Sequence, residues 1–295
     1  MTALLGSLSI WLSLFFCTFQ FIITKKNKNN KYLYICVNGL LISSLISFFL
    51  LMYSYIISDF SILNVFQNSH TTKPLFYKIS GTWGNHEGSL LLWLLVLTIF
   101  LFVFFIHSKK LSNKYRLLTV FFQEIIILGF LLFILFTSNP FSNLFPVPKE
   151  GNGLNPLLIS PYMIVHPPIV FISYGMIVML YAAGMANLIT GEKSWNETIK
   201  RWGRSSWIGM SLALVLGGYW AYMTLGWGGY WAWDPVETAG LLPWLSMTTL
   251  LHTSIMSRRK KDYKLLGPVL AMLTFVLVLL ESFVTRGGIW TSVHS

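Results

Sequence analysis

The chain has 295 residues, of which 55% are hydrophobic, 16% aromatic and only 11% charged. An average soluble domain carries about 25% charged residues, so this chain has too few polar side chains to cover a water-soluble core of its size. The composition excludes a soluble enzyme, a disordered chain and a secreted disulfide scaffold. It also excludes a nucleic-acid-binding protein, although the net charge is +11. We predict a polytopic membrane protein.

Eight mostly apolar segments follow one another along the chain, each about as long as the ~20 residues that an α-helix needs to cross a bilayer. They are 3–24, 32–57, 88–107, 117–137, 164–189, 206–224, 239–256 and 265–284. The predicted fold is therefore all-α: a single membrane domain over 1–295 that forms a bundle of about eight transmembrane helices.

Lysine and arginine are concentrated on one side of these helices. Of the 21 in the chain, 17 lie in four alternate connections, which are 25–31, 108–116, 190–204 and 257–264. Because basic loops face the cytoplasm or an organelle's matrix, both termini are predicted to face the outer side. The outer side also carries three long loops and a tail, at 58–87, 138–163, 225–239 and 285–295. These segments are rich in Trp, Pro and Gly, which indicates that the functional face is the outer one.

The densest motif is WGGYWAWDPVE, at 227–237 in the third outer loop. It places four flat rings within seven residues, followed by Asp234; the rings are Trp227, Tyr230, Trp231 and Trp233. Aromatic residues also gather at membrane interfaces without any specific role. Four rings on a glycine-rich loop nevertheless favour a platform for a large, flat, apolar ligand.

Histidines add a second type of signal. His166 precedes Pro167 and Pro168, which are tolerated best in the first turn of a helix, so we predict that His166 lies at the outer end of a helix. His294 lies in the outer tail, and two such histidines could hold a haem iron axially. His252 lies inside an apolar span, where an ionisable group is costly. It could bind a metal or cofactor, or could hydrogen-bond to a facing helix.

The motif GTWGNHEGSLLLW, at 81–93, leads into the third span. Glu87 is explained by its place at a helix N-terminus, but the Trp-Gly-x-His pattern with His86 is not. Glu281 lies within the last span, and Arg286 near the same end is a conceivable partner for it. We regard His86, Glu87 and Arg286 as weaker candidates for cofactor binding.

These motifs resemble the CcmF family of cytochrome c haem lyases. WGGYWAWDPVE resembles the tryptophan-rich WWD signature of haem-handling proteins in cytochrome c biogenesis. The segments GTWGNHEGSLLLW, FTSNPFSNLFPVPKEGNGLNPLL, HPPIVFISYG and VTRGGIWTSVHS resemble the CcmF pattern in the CcmF order. The resemblance covers nearly the whole chain from about residue 59. One departure is Tyr230, which stands where the family usually has the first Trp of the WW pair.

The resemblance implies a haem lyase that forms thioether bonds between haem and apocytochrome c outside the membrane. It implies that His166 and His294 are the axial ligands of the transferred haem, and that His252 is one ligand of a separate transmembrane haem b. The haem platform would contain Trp227, Tyr230, Trp231, Trp233 and Asp234.

Complete family members continue for many more helices, so the resemblance implies the N-terminal part of a split CcmF of the mitochondrial type. The expected location is the mitochondrial inner membrane, with the bacterial inner membrane as the alternative. Implied partners are the C-terminal CcmF part, a haem carrier of the CcmE type, apocytochrome c with its thiol-handling chaperone, and a quinol. Two rival functions are a transporter of haem or another small molecule, and a structural subunit without ligation activity.

Overall fold

The computed structural model describes residues 1–25, 31–257 and 265–292. These residues form α-helices, short 3₁₀- and π-helical turns, loops and one isolated antiparallel bridge between Ile62 and Asn143. The helices are α1 (Thr2–Lys25), α2 (Lys31–Ile56), α3 (Leu63–Asn68), α4 (Leu75–Gly81), α5 (His86–His107), α6 (Asn113–Phe136), α7 (Pro161–Thr190), α8 (Trp195–Thr198), α9 (Arg204–Leu225), α10 (Pro235–Met256) and α11 (Leu266–Arg286). The predicted all-α fold class is confirmed.

Seven helices in the described ranges are long and apolar enough to cross a membrane. They are α1, α2, α5, α6, α7, the segment Trp195–Leu225, in which a π-helical turn at Ile199–Gly203 joins α8 to α9, and α11. The remaining predicted span forms α10, but its 22 residues include six Ser or Thr residues, Pro243 and His252, which make it less apolar than the others. The placement of both termini on the outer side stays a prediction.

Helix α7 begins earlier than the sequence predicted. It starts at Pro161, so His166 and the Pro167–Pro168 pair lie in its second turn instead of at its start. The fixed φ of Pro161 suits the first position of a helix, whereas the two later prolines each remove a helical N–H donor.

The chain divides into two compact units. The first contains Met1–Val103 and Glu124–Pro168, and the second contains Phe104–Gln123 and Ile169–Ser295. The single membrane domain over 1–295 stays a prediction.

In the first unit, α1 and α2 pack as an antiparallel pair through small residues. Ser13 Oγ lies 2.7 Å from Ser43 Oγ, and a Cβ atom at Gly39 would stand only 2.6 Å from the ring of Phe16. Small side chains bring helices close together where lipid provides no hydrophobic driving force. The outward faces of both helices carry large apolar side chains such as Phe15 and Phe49.

Two loops of the first unit, both predicted to lie on the outer side, are joined by backbone hydrogen bonds. The N–H of Leu63 donates to the carbonyl of Ser142, and the N–H of Leu144 donates to the carbonyl of Ser61, both at 2.8 Å. Asp59 fixes the start of this region. Partial burial tends to raise the pKa of the Asp59 carboxyl. Hydrogen bonds from Ser61 and from the Thr2 hydroxyl outweigh this effect and lower the pKa below its ordinary value.

Buried amides hold the WGNHEG motif in place. Tyr55 Oη donates to Asn64 Oδ1 at 2.7 Å, and Asn64 Nδ2 donates to Asn85 Oδ1 at 2.7 Å and to Glu87 Oε2 at 2.9 Å. Asn85 Oδ1 also accepts from the N–H of Gly88 at 2.8 Å, which is the pattern of a helix N-cap. The motif therefore starts α5 and ties it to α2 and α3.

Side-chain hydrogen bonds connect the helices of the second unit. Trp207 of α9 donates to Thr248 of α10, and Trp244 of α10 donates to Ser211 of α9, both at 2.8 Å. The two indoles stack at 5.9 Å between ring centroids. Helix α11 packs on α10, where the hydroxyls of Ser246 and Thr274 lie 2.8 Å apart.

Gly88 is required by close backbone contact. A Cβ atom there would lie 1.7 Å from the carbonyl oxygen of Thr82, and backbone cannot move aside cheaply. We predict that Gly88→Ala destabilises the protein by more than about 3 kcal/mol. The matched control is Gly129→Ala in α6, where a Cβ meets nothing within 4 Å and where alanine is expected to be neutral or to stabilise by up to about 1 kcal/mol. Thermal unfolding in detergent measures both, and equal effects would contradict the packing argument.

Candidate functional site

The tryptophan-rich loop follows α9 through several left-handed backbone positions. Gly226, with φ of +67°, ends α9, and Gly228 has φ of +69°. Trp233 also lies in this region, with φ of +58°. A bulky residue with positive φ is a backbone outlier, and such strain clusters at binding sites. The loop therefore holds Trp233 in a conformation that favours glycine.

The ring of Tyr230 packs against two tyrosines of α9. Its ring stacks on Tyr222 at 4.8 Å and on Tyr219 at 6.3 Å. The loop backbone lies so close to α9 that a Cβ at Gly218 would be 2.7 Å from the Tyr230 carbonyl oxygen. Tyr230, which stands where the family usually has a tryptophan, is thus part of a stack of three tyrosines. The sequence analysis did not identify this stack.

Trp231 and Trp233 form the edge of the loop. Their rings meet edge to face at 5.9 Å, and Trp233 is 72% exposed. Glu237 accepts a hydrogen bond from the N–H of Ala232 through Oε2, at 3.1 Å. Among the described residues, Trp231 Nε1 and Glu237 Oε1 are buried polar atoms with no hydrogen-bond partner. Exposed flat rings beside unsatisfied buried polar atoms fit a large aromatic ligand with polar groups.

Asp234 connects the loop, α10 and the tail. Its Oδ1 accepts from the N–H of Val236 at 2.9 Å and from the hydroxyl of Ser292 at 2.8 Å. Asp234 is the N-cap of α10 and Pro235 fills the first helical position, so the helix starts four residues before the predicted boundary. The D-P-V-E sequence is a helix-start pattern that could have revealed this.

The tail lies against the second unit in its described part. Trp290 packs edge to face on Phe283 at 6.1 Å, and Ser292 bonds to Asp234 as described above. His294 lies outside the described residues, two positions beyond Ser292 in the sequence. The structure thus brings Asp234, the loop residue that follows Trp233, into contact with the described end of the tail.

His252 points away from the second unit. It lies about 26 Å along α10 from Pro235, farther from the start of the helix than predicted but at the predicted distance from its end, and its side chain is exposed. Its Nδ1 lies 2.8 Å from the carbonyl oxygen of Thr248. Because a carbonyl only accepts, Nδ1 carries the proton in this contact, which leaves the Nε2 lone pair available to a metal. The exposed stripe around it consists of Leu242, Leu245, Thr249, His252 and Met256.

The other predicted residues have separate surroundings. His166 is half-buried in α7 and belongs to the first unit. His86 Nε2 lies 3.1 Å from Ser138 Oγ, and Glu87 belongs to the amide cluster at the start of α5. Arg286 is exposed, while Glu281 accepts a hydrogen bond from Thr285 at 3.1 Å.

The sequence of this chain matches a known protein family. A family model described as "Cytochrome C assembly protein" matches residues 83–290. The chain belongs to the cytochrome c assembly protein family. The match includes the WGNHEG motif, His166, the tryptophan-rich loop and His252, and it ends before His294.

Individual members of the cytochrome c assembly protein family agree with this assignment. The chain is 40% identical over 251 residues to the cytochrome c-type biogenesis protein CycK of Rhizobium meliloti, covering 84% of this chain and 37% of that protein. It is 39% identical over 252 residues to the cytochrome c-type biogenesis protein CcmF of Escherichia coli, covering 84% and 39%. The chain thus spans about two fifths of the length of these curated relatives.

A solved structure titled "Cytochrome c Heme Lyase CcmF" has the same fold. It superposes with a TM-score of 0.85 at 28% identity, and the match covers 98% of this chain and 48% of that one. The suspected CcmF resemblance is therefore confirmed.

The exposed ring of Trp233 contributes little to the fold, so its loss tests ligand binding directly. We predict that Trp233→Gly, which also relieves the left-handed backbone, weakens haem retention by about 2- to 10-fold, the value of one aromatic stacking contact. Thermal stability should not fall. The matched control is Trp11→Leu, an exposed tryptophan of α1 in the first unit, which should leave haem retention unchanged. Equal haem retention in Trp233→Gly and the natural chain would contradict the platform.

Proposed function

We propose that this chain acts in cytochrome c maturation as the haem-holding part of a haem lyase. The observation that carries the proposal is the tryptophan-rich loop, in which a strained, exposed Trp233 stands beside Trp231 on a backbone anchored by Asp234. Membership of the cytochrome c assembly protein family supports the same function, and so does the structural match to a CcmF haem lyase.

Haem is the substrate in this proposal, and the loop is its platform. The rings of Trp227, Tyr230, Trp231 and Trp233 offer flat apolar surface for a porphyrin. Trp231 Nε1 supplies a buried donor that has no partner among the described residues. We propose that His166 and His294 ligate the haem iron from the two axial positions, since imidazole is the usual axial ligand of haem.

The reaction joins haem to apocytochrome c through two thioether bonds. Each thiol of the CxxCH motif adds across one haem vinyl group: the S–H bond breaks, sulfur bonds to one vinyl carbon and hydrogen ends on the other. The addition needs no external oxidant or reductant. The histidine of the cytochrome motif then replaces one axial ligand. The protein chiefly holds the reactants in position, while the vinyl chemistry belongs to haem.

We propose that His252 is one ligand of a second haem, a transmembrane haem b. An exposed histidine and threonine on a membrane helix are costly in lipid, so a partner is expected to cover this stripe. The Nδ1 contact to the Thr248 carbonyl orients the ring for ligation through Nε2. When bound, this haem supplies electrons, drawn from a quinol, that keep the transferred haem iron reduced.

The proposed partners follow from the part of the family fold that this chain represents. They are a chain with the C-terminal part of CcmF, a haem carrier of the CcmE type, and apocytochrome c with its thiol-handling chaperone. The proposed location is the mitochondrial inner membrane, and the bacterial inner membrane is the alternative.

His252→Ala tests the transmembrane haem. We predict that the substitution removes a b-type absorption band from the purified complex. Stability should change by less than about 0.5 kcal/mol because the side chain is exposed. The matched control is Thr249→Ala on the same exposed stripe, which should retain the band. A band of full amplitude in His252→Ala would show that His252 is not a ligand.

Substitution of the outer histidines separates a lyase from a structural subunit. We predict that His166→Ala and His294→Ala each lower cytochrome c maturation by about 10- to 100-fold, the scale of effect seen for groups that support metal ligation. Assembly of the complex should persist. The measurement is the yield of covalent cytochrome c in membranes, normalised to the amount of this chain. Normal yield in the double variant would favour the structural subunit.

A further inference from the structure

A line of polar side chains is buried along the inward face of α1 in the first unit. It consists of Ser9, Ser13, Cys17, Gln20 and Thr24, which are spaced three or four residues apart and are at most 9% exposed. Close helix packing accounts for the small residues, and the Ser13 hydroxyl also donates to the carbonyl of Ser9, one turn earlier. Packing does not explain a fully buried glutamine five residues before the end of a membrane helix.

Glu124 of α6 meets this line near the predicted inner end of α1. Its side chain is fully buried. Thr24 Oγ1 donates to Glu124 Oε2 at 2.6 Å, and Cys17 Sγ lies 3.8 Å from the Glu124 backbone oxygen. The amide of Gln20 is the next polar neighbour. Within the described ranges, Glu124 takes part in no ion pair.

Three polar atoms at this point are buried and have no hydrogen-bond partner among the described residues. They are Oε1 of Glu124 and both Oε1 and Nε2 of Gln20. Leaving such groups without a partner is unfavourable, because they lose their hydrogen bonds to water on burial. A buried water needs two to four polar partners, and Glu124 Oε1 together with one atom of the neighbouring Gln20 amide provides two of them. The other titratable groups that face the carboxyl are the thiols of Cys17 on α1 and Cys36 on α2.

We propose that Glu124 and Gln20 form a proton-binding site inside the membrane, in which the carboxyl exchanges its proton through a water held by the Gln20 amide. Thr24 already donates to Oε2, which directs the exchangeable proton to Oε1. An uncompensated carboxylate is costly in lipid, so a proton is the ligand that this carboxyl requires. The site uses none of the residues proposed to bind haem, and it adds a proton-exchange activity to the first unit.

Infrared spectroscopy of the membrane-embedded complex tests the site without any need for haem. We expect the natural chain to show a carboxylic C=O band that shifts when the membranes are transferred from water to D₂O. Glu124→Gln should remove this band. Glu281→Gln is the matched control, because it alters the other glutamate within a predicted span, and it should leave the band in place.

A second variant tests the role of the water. Gln20→Leu removes the amide but keeps Glu124, so we expect the band to persist and its shift in D₂O to become slower. The proposal is overturned if Glu124→Gln leaves the spectrum unchanged, or if the natural band never shifts in D₂O. If the Glu124→Gln variant does not assemble, the comparison of Gln20→Leu with the natural chain decides alone. An equal rate of the band shift in D₂O in these two proteins then overturns the proposal. Loss of haem from the complex would bear on the proposed lyase function and not on this result.

Discussion

One carboxylate connects the parts of the second unit that carry the haem proposal. Asp234 Oδ1 accepts from the N–H of Val236, which starts α10, and from the hydroxyl of Ser292, which holds the tail. The same residue ends the loop whose strained position is Trp233. The position of the platform, the start of the helix that bears His252 and the position of the described end of the tail therefore depend on a single side chain. Without a good N-cap, a helix loses about 1 kcal/mol, and here the tail would lose its anchor as well.

The membrane imposes a different constraint on the first unit. In the absence of water, polar side chains must find partners within the protein, and here they form two buried clusters. The amide cluster around Asn64 and Asn85 is satisfied and fixes the start of α5. The cluster around Glu124 and Gln20 contains polar atoms that have no hydrogen-bond partner among the described residues. These atoms can bind a ligand, whereas the satisfied amide cluster only stabilises the fold.

Much of the fold could be predicted because apolar length and basic loops are strong signals in a membrane protein. The predicted spans match the long helices closely, and the largest errors lie at the starts of α6, α7 and α10. Prolines begin α7 and α10, and the first turn of α6 carries Lys114 and Arg116, so apolar runs alone do not mark these starts. The chemistry of the loop was visible as a motif. The tyrosine stack at Tyr230 was not, because it depends on how the loop folds back on α9, and the contact of Ser292 with Asp234 was not, because it joins residues far apart in sequence.

The central claim is that this chain holds haem in its natural complex. The most direct measurement is a reduced-minus-oxidised absorption spectrum of the affinity-purified complex, with mass spectrometry to identify the chains that co-purify. We predict a b-type haem spectrum together with a second chain that resembles the C-terminal part of CcmF. A complex without haem, whose partners are unrelated to cytochrome c assembly, would contradict the account.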